Sequence, residues 1–61
     1  MKNLLEPKEV CKILNIKKSR LYSMVFYRQI PFIKINTSLR FDPDEIQKWI
    51  DEQAKKIKGK L

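Results

Sequence analysis

Two helix starts written in the same grammar bracket this chain and limit what can lie between them. In Leu5-Glu6-Pro7-Lys8-Glu9-Val10, Pro7 suits the first position of a helix, Glu9 the third, and Leu5 can staple onto Val10. In Phe41-Asp42-Pro43-Asp44-Glu45-Ile46 the pattern returns with a stronger cap, because the Asp42 carboxylate can accept an orphan backbone N–H and favours the positive end of the helix dipole. Helices are therefore predicted to begin near residues 7 and 43, and the chain between them must complete the fold.

The first helix shows Val10, Ile13 and Leu14 at i, i+3, i+4, a buried stripe, and should stop near Asn15, a residue that tolerates the left-handed conformation. Residues 18–28 carry Leu21, Met24 and Val25 in the same spacing, which predicts a second helix ended by Arg28-Gln29-Ile30-Pro31. The intervening Asn15-Ile16-Lys17-Lys18 has the length of a helix-turn-helix corner, with Ile16 as its apolar plug. After Pro31 the period becomes alternating. Pairing Phe32-Ile33-Lys34-Ile35 with Leu39-Arg40-Phe41 across a three-residue loop, Asn36-Thr37-Ser38, sets Ile35 opposite Leu39, Lys34 opposite Arg40 and Ile33 opposite Phe41. In this register the apolar pairs face one way and the two cations the other. The last helix places Ile46, Trp49 and Ile50 on one face, with Ile57 a further candidate, and turns Lys48, Asp51, Glu52 and Lys55 to water. Trp49 reads as a core anchor. The fold class expected is mostly α with a small β-hairpin wing between helix 2 and helix 3: a winged helix-turn-helix filling residues 1–56 as a single domain, followed by a basic tail, 57–61, that frays.

Size and charge narrow the function. A chain of 61 residues makes one domain, whose core supplies roughly 3–5 kcal/mol, and leaves no room for a deep substrate pocket. The single Cys, Cys11, closes no internal disulfide, and without any His it completes no common zinc or nucleophile constellation; it reads as a small buried residue in a reducing setting. No enzyme activity, metal or cofactor is expected. The longest uncharged runs, Leu21–Tyr27 and Gln29–Ile33, fall far below the ~18–20 residues of a membrane span. A soluble protein of the cytoplasm is expected. The net charge is +7, and it is not spread evenly. Lys2 and Lys8 balance Glu6 and Glu9; the acids from Asp42 to Glu52 balance the lysines from Lys48 to Lys60. The excess lies in residues 10–41, where Lys12, Lys17, Lys18, Arg20, Arg28, Lys34 and Arg40 meet no acid. Like charges in one block repel unless a partner neutralises them, which favours an anionic polymer as ligand.

These residues resemble the excisionase-type, MerR-like winged helix-turn-helix DNA-binding domains. The resemblance runs from Leu5 to about Ile50. Leu5-x-Pro7-x-Glu9-Val10-Cys11-x-x-Leu14-Asn15-Ile16 is similar to the family's first helix and turn, Leu21-Tyr22-x-x-Val25 to its recognition helix, and Ile30-Pro31-x-x-Lys34-Ile35 to the start of its wing. Leu39-Arg40-Phe41 and Asp44-Glu45-Ile46-x-x-Trp49-Ile50 are similar to the wing's return and the last helix. The family often has Thr or Ser at the position of Glu6, Gly at those of Asn15, Arg28 and Asn36, and Ser at the recognition-helix cap, where Lys17 stands here. Arg28 in place of Gly either strains the connection or adds a phosphate contact; Ser19 is an alternative cap for a helix that starts later.

Double-stranded DNA is accordingly the expected partner. The helix from Lys18 enters a major groove, where Arg20 matches the two acceptors of a guanine, Ser19 and Ser23 meet donors or acceptors, and Phe26 or Tyr27 meets a thymine methyl or a phosphate. Lys17, Lys18 and Tyr22 hold phosphates. Lys34, Arg40 and the tip Asn36-Thr37-Ser38 sit on backbone or in the adjoining minor groove. Because the chain is too short to carry the long dimerisation helix and effector domain of MerR-type regulators, the resemblance implies a stand-alone binder. Its implied role is that of an excisionase that bends DNA beside an integrase of a mobile genetic element, with cooperative self-association on DNA, or else a small transcriptional regulator of such an element. A reading of another class makes Phe26, Tyr27 and Phe32 an aromatic patch for a protein partner. RNA binding is less favoured, since no sheet carries repeated aromatics.

Overall fold

Both helix starts form as their capping residues dictate. The computed structural model describes residues 3–58, and of residues 57 and 58 the backbone alone. Helix α1 spans Pro7–Leu14, with Pro7 in its first turn and the Glu6 amide donating to Glu9 Oε1 at 2.7 Å. Helix α3 spans Pro43–Lys58, and its Asp44 amide donates to Asp42 Oδ1 at 2.9 Å. Between them lie α2 (Lys18–Phe26), β1 (Ile33–Ile35) and β2 (Ser38–Arg40), the last two forming an antiparallel hairpin. This is a winged helix-turn-helix, with the hairpin after the second helix and before the third.

Two left-handed residues end the first two helices in the same way. At Asn15, φ is 56°; its amide and that of Ile16 donate back to the carbonyls of Lys12 and Cys11 at 3.3 and 3.0 Å. At Arg28, φ is 55°, and the amides of Arg28 and Gln29 donate to Val25 and Met24 at 3.0 and 2.8 Å. Both are Schellman closures, which use up carbonyls that a helix end would leave unpaired. The first turns the chain through the helix-turn-helix corner, and Ile16 packs against the core as its plug.

Each helix gives one residue to the buried centre, Val10 from α1, Leu21 from α2 and Ile46 from α3, and the segments on either side of the hairpin add Ile30 and Phe41. Leu5, Leu14, Met24, Val25, Leu39, Trp49 and Ile50 surround it, partly buried. The Trp49 indole Nε1 donates to the Gln29 carbonyl at 2.8 Å, tying α3 to the chain that leaves α2. Phe41 exchanges backbone hydrogen bonds with Leu5 at 2.7 and 2.9 Å, so the segment before α1 is stitched to the end of the wing.

Three expectations are corrected. The loop of the wing has two residues, Asn36 and Thr37, and the register is Ile33 to Arg40, Lys34 to Leu39 and Ile35 to Ser38. Lys34 therefore does not oppose Arg40, Ile33 does not oppose Phe41, and Ser38 belongs to β2. Because directly opposed residues share a face, Phe32, Lys34, Leu39 and Phe41 lie on the side toward the core, while Ile33, Ile35, Ser38 and Arg40 lie on the other. Two causes are visible. Asn36 has φ 57°, the sign that the first residue of a tight II′-type connection requires, and such loops match the twist of the strands. And β1 is so short that its leading residue decides which face turns inward: Phe32 packs against the core, while Ile33 and Ile35 stay 36% and 48% exposed. The second correction concerns Ile13, which is 54% exposed and not part of the α1 stripe. At ~100° per residue the buried face of this two-turn helix is centred between Val10 and Leu14 and rotated toward the half-buried Cys11. Third, α2 ends at Phe26, with Arg28 already beyond it. The α3 helix continues through Lys58, past the point where fraying was expected; the Ile57 side chain and residues 59–61 lie outside the described part.

Candidate nucleic-acid interface

The second helix differs from the other two at its N-terminus. Whereas Glu9 stands in the first turn of α1 and Asp44 and Glu45 in that of α3, α2 has no acid there. Lys17 occupies its cap position in extended conformation (φ −79°, ψ 155°) and provides no side-chain cap. Ser19 is thus inside the first turn and does not cap a later start. A helix start leaves backbone N–H groups unpaired and carries about half a positive charge. Here Lys17, Lys18 and Arg20, all exposed, add to that charge where a carboxylate would ordinarily offset it. An anion from outside the chain is the group this end accommodates.

Burial of Leu21, Met24 and Val25 fixes which face of α2 looks outward. Ser19, Tyr22, Ser23 and Phe26 follow one another at i, i+3, i+4, i+7 on the exposed side, flanked by Arg20 and Tyr27. Two open grooves lie along this helix. The larger, about 880 Å³, runs between α2 and the wing and is lined by Tyr22, Val25 and Phe26 from the helix, by Arg28, and by Lys34, Thr37, Ser38, Leu39 and Arg40 from the wing. The other, about 550 Å³, lies at the helix-turn-helix corner and is lined by Asn15, Ile16, Lys17, Ser19, Arg20 and Ser23. Neither lining contains an acid. Asp42, Glu45 and Glu52 instead line the smaller depressions beside Pro31. The segregation of charge seen along the sequence is therefore kept in three dimensions.

The structure distributes the twelve expected DNA-facing residues as follows. Tyr22, Lys34, Thr37, Ser38 and Arg40 come together on the wing groove, and Lys17, Ser19, Arg20 and Ser23 on the corner groove. Lys18, Tyr27 and Asn36 are exposed but line neither. Although Lys34 and Arg40 start from opposite faces of the hairpin, both reach the wing groove; Arg40 is half-buried, with Nη1 donating to the Leu39 carbonyl at 2.8 Å. Arg28 was missing from that set. Its guanidinium carbon stands 5.9 Å from the centre of the Phe32 ring, within cation–π range, on the same groove as Lys34 and Arg40. The backbone of Arg28 is left-handed, and its side chain is placed beside the other cations of the groove.

Comparison with known proteins places this arrangement. Residues 4–54 match the family model described as "Helix-turn-helix domain". The chain belongs to that family. This helix-turn-helix protein is a small DNA-binding domain of a kind that is typically non-catalytic. Searches of curated proteins and of solved structures gave no match. Among the described residues of the helix-turn-helix protein, no helix is long and apolar enough to cross a membrane.

One consequence concerns Arg28. Replacing it by Gly removes a left-handed penalty of ~1–2 kcal/mol, but adds ~0.5–1 kcal/mol of chain entropy and loses an exposed cation–π contact of ~0.5–1 kcal/mol. These offset each other. Arg28→Gly should therefore leave thermal stability within about 1 kcal/mol of the parent while reducing the salt slope of duplex binding by about 0.9. A melt with unchanged stability and an unchanged slope would remove Arg28 from the interface.

Proposed function

We propose that the protein binds double-stranded DNA sequence-specifically, with α2 in the major groove and the wing on the flanking backbone. One observation carries this reading: the recognition helix and the wing line a single groove that contains Arg28, Lys34 and Arg40 and no acid. A duplex presented to that surface meets Lys34 and Arg40 of the wing and, just beyond the end of α2, Arg28. In this reading Arg20 takes the O6 and N7 of a guanine through its two-donor fork, and Ser19 and Ser23, short enough to let the helix approach, bond to neighbouring base edges. Lys17, Lys18 and the open start of α2 hold one phosphate strand. Tyr22, Tyr27, Arg28, Lys34, Asn36, Thr37, Ser38 and Arg40 hold the other strand or the adjoining minor groove.

Two substitutions separate the roles. Arg20→Ala should relax preference at one base pair and cost ~1–3 kcal/mol on the preferred site, whereas Lys34→Ala should weaken all sequences alike. Binding curves on the preferred duplex and on single-base variants read both. Equal losses on every duplex for Arg20→Ala would take base reading away from that residue.

Within this class the resemblance to excisionases supports an architectural role: residues 1–56 as the DNA-binding unit, copies self-associating cooperatively along repeated sites, DNA bent, and an integrase as protein partner, in the excision of a mobile element. Gel mobility of circularly permuted duplexes measures the bend, and footprinting distinguishes tandem sites from the palindromes expected of a dimeric transcriptional regulator.

A further inference from the structure

Phe26 is the most exposed large apolar residue of the described chain, at 77%, and it stands where exposure is least expected without a ligand. It is the last residue of α2 and the fourth on the outward line Ser19, Tyr22, Ser23, Phe26. That spacing is the one by which a helix lying along a major groove addresses successive bases. At 1.5 Å per residue, Phe26 lies ~10 Å along the axis from Ser19, about three base steps of ~3.4 Å. Its ring is held edge-on against Tyr27, with centroids 5.0 Å apart and planes at 87°. It therefore projects as a defined apolar surface beside the cations of the wing groove.

We infer that Phe26 is a specificity residue that recognises the C5-methyl group of thymine. This assignment rests on duplex binding as proposed above, and the other groups of the duplex are excluded in turn. A phenyl ring neither donates nor accepts a conventional hydrogen bond, so the acceptors of guanine and the amino groups of adenine and cytosine gain nothing from it. The one apolar group that the major groove displays is the thymine methyl. A phosphate is no better a partner, since burying the ring against it would desolvate an anion without compensation. The surrounding charge also bears on the choice of partner: Arg28, Lys34 and Arg40 share the groove that Phe26 lines, and no acid does, which suits a polyanion carrying scattered methyl groups.

The test uses the full chain and two steps. The preferred duplex is first selected from a random library, and each thymine is then replaced singly by deoxyuridine, which deletes the methyl and leaves every hydrogen-bonding edge intact. At one or two adjacent positions the parent protein should lose about fourfold in affinity, the equivalent of ~0.8 kcal/mol for one buried methyl group. Phe26→Ala should bind the thymine and uracil duplexes equally, and Phe26→Leu should retain part of the discrimination. Because the ring is exposed, both variants should melt as the parent does, and the melts are recorded alongside. The inference is overturned if uracil is tolerated at every position, if the selected site has no thymine, or if the penalty persists in Phe26→Ala. Unchanged affinity in Phe26→Ala with loss of a protein pull-down would move the residue to a protein interface. If the parent shows no salt-dependent duplex binding at all, the proposed function itself fails, and that result is distinct from the others.

Discussion

Duplex affinity should fall roughly 500-fold between ~50 and ~200 mM monovalent salt, if Lys17, Lys18, Arg28, Lys34 and Arg40 each neutralise one phosphate. Each neutralised phosphate releases condensed counterions and contributes about −0.9 to the slope of log affinity against log salt, so these side chains together give about −4.5. The structure makes the prediction specific. A basic protein whose cations were paired with its own carboxylates would show a shallow slope whatever its net charge. Here no acid lines either groove of the candidate interface, and Asp42, Glu45 and Glu52 line other depressions, beside Pro31. Titrations at several salt concentrations on one duplex measure the slope directly. A value shallower than about −3 would mean that either the corner or the wing stays off the DNA, and Lys17→Ala and Lys34→Ala would then show which.

The largest stability effect should come from Phe41→Ala, which is expected to leave the chain unfolded at 25 °C. Truncating a buried Phe costs ~3–5 kcal/mol, about the whole of what a core in a domain this small supplies. Phe41 is 0% exposed, at the meeting of Val10, Leu21, Ile30 and Ile46. Its backbone also carries the bridge to Leu5, so unpacking the side chain that anchors this point loosens the wing and the approach to α1 together. Circular dichroism should show the helical signal reduced and no cooperative melt, with DNA binding lost as a consequence of unfolding. A cooperative melt within a few degrees of the parent would contradict the assignment of Phe41 to the centre of the core. Phe26→Ala, the same change at a 77% exposed ring, is the natural control.

How much of this was legible beforehand follows from the range over which each determinant acts. The starts of α1 and α3 were readable because capping works within four residues: Glu6 with Glu9, and Asp42 with Asp44. The core stripe of α2 was readable because Leu21, Met24 and Val25 fit one helical face and no other. The register of the wing was not. Phe32 with Lys34, or Ile33 with Ile35, can each supply an inward face, and only packing against distant Val10, Leu21 and Ile46 selects the first. Ile13 was misplaced for a related reason, since a helix of two turns leaves the direction of its stripe loosely defined and Cys11 took the inner position. Within the candidate site, the acid-free block already pointed to α2 and the wing. That Arg28 joins them depends on a left-handed backbone at a non-glycine residue, and neither charge nor periodicity reports that. The positions where the resembling family often has Gly, namely Asn15, Arg28 and Asn36, are the described residues with positive φ, so the turns were legible even where the residue type departs.

The uncapped start of α2 ties recognition to the integrity of the domain. This end bears its partial positive charge with lysines beside it, no side-chain cap and no carboxylate in its first turn. A phosphodiester held there, as proposed above, would complete it, and mass action would then convert affinity for the folded form into resistance to unfolding. On that proposal the nucleic acid would act as a structural part supplied from outside the chain.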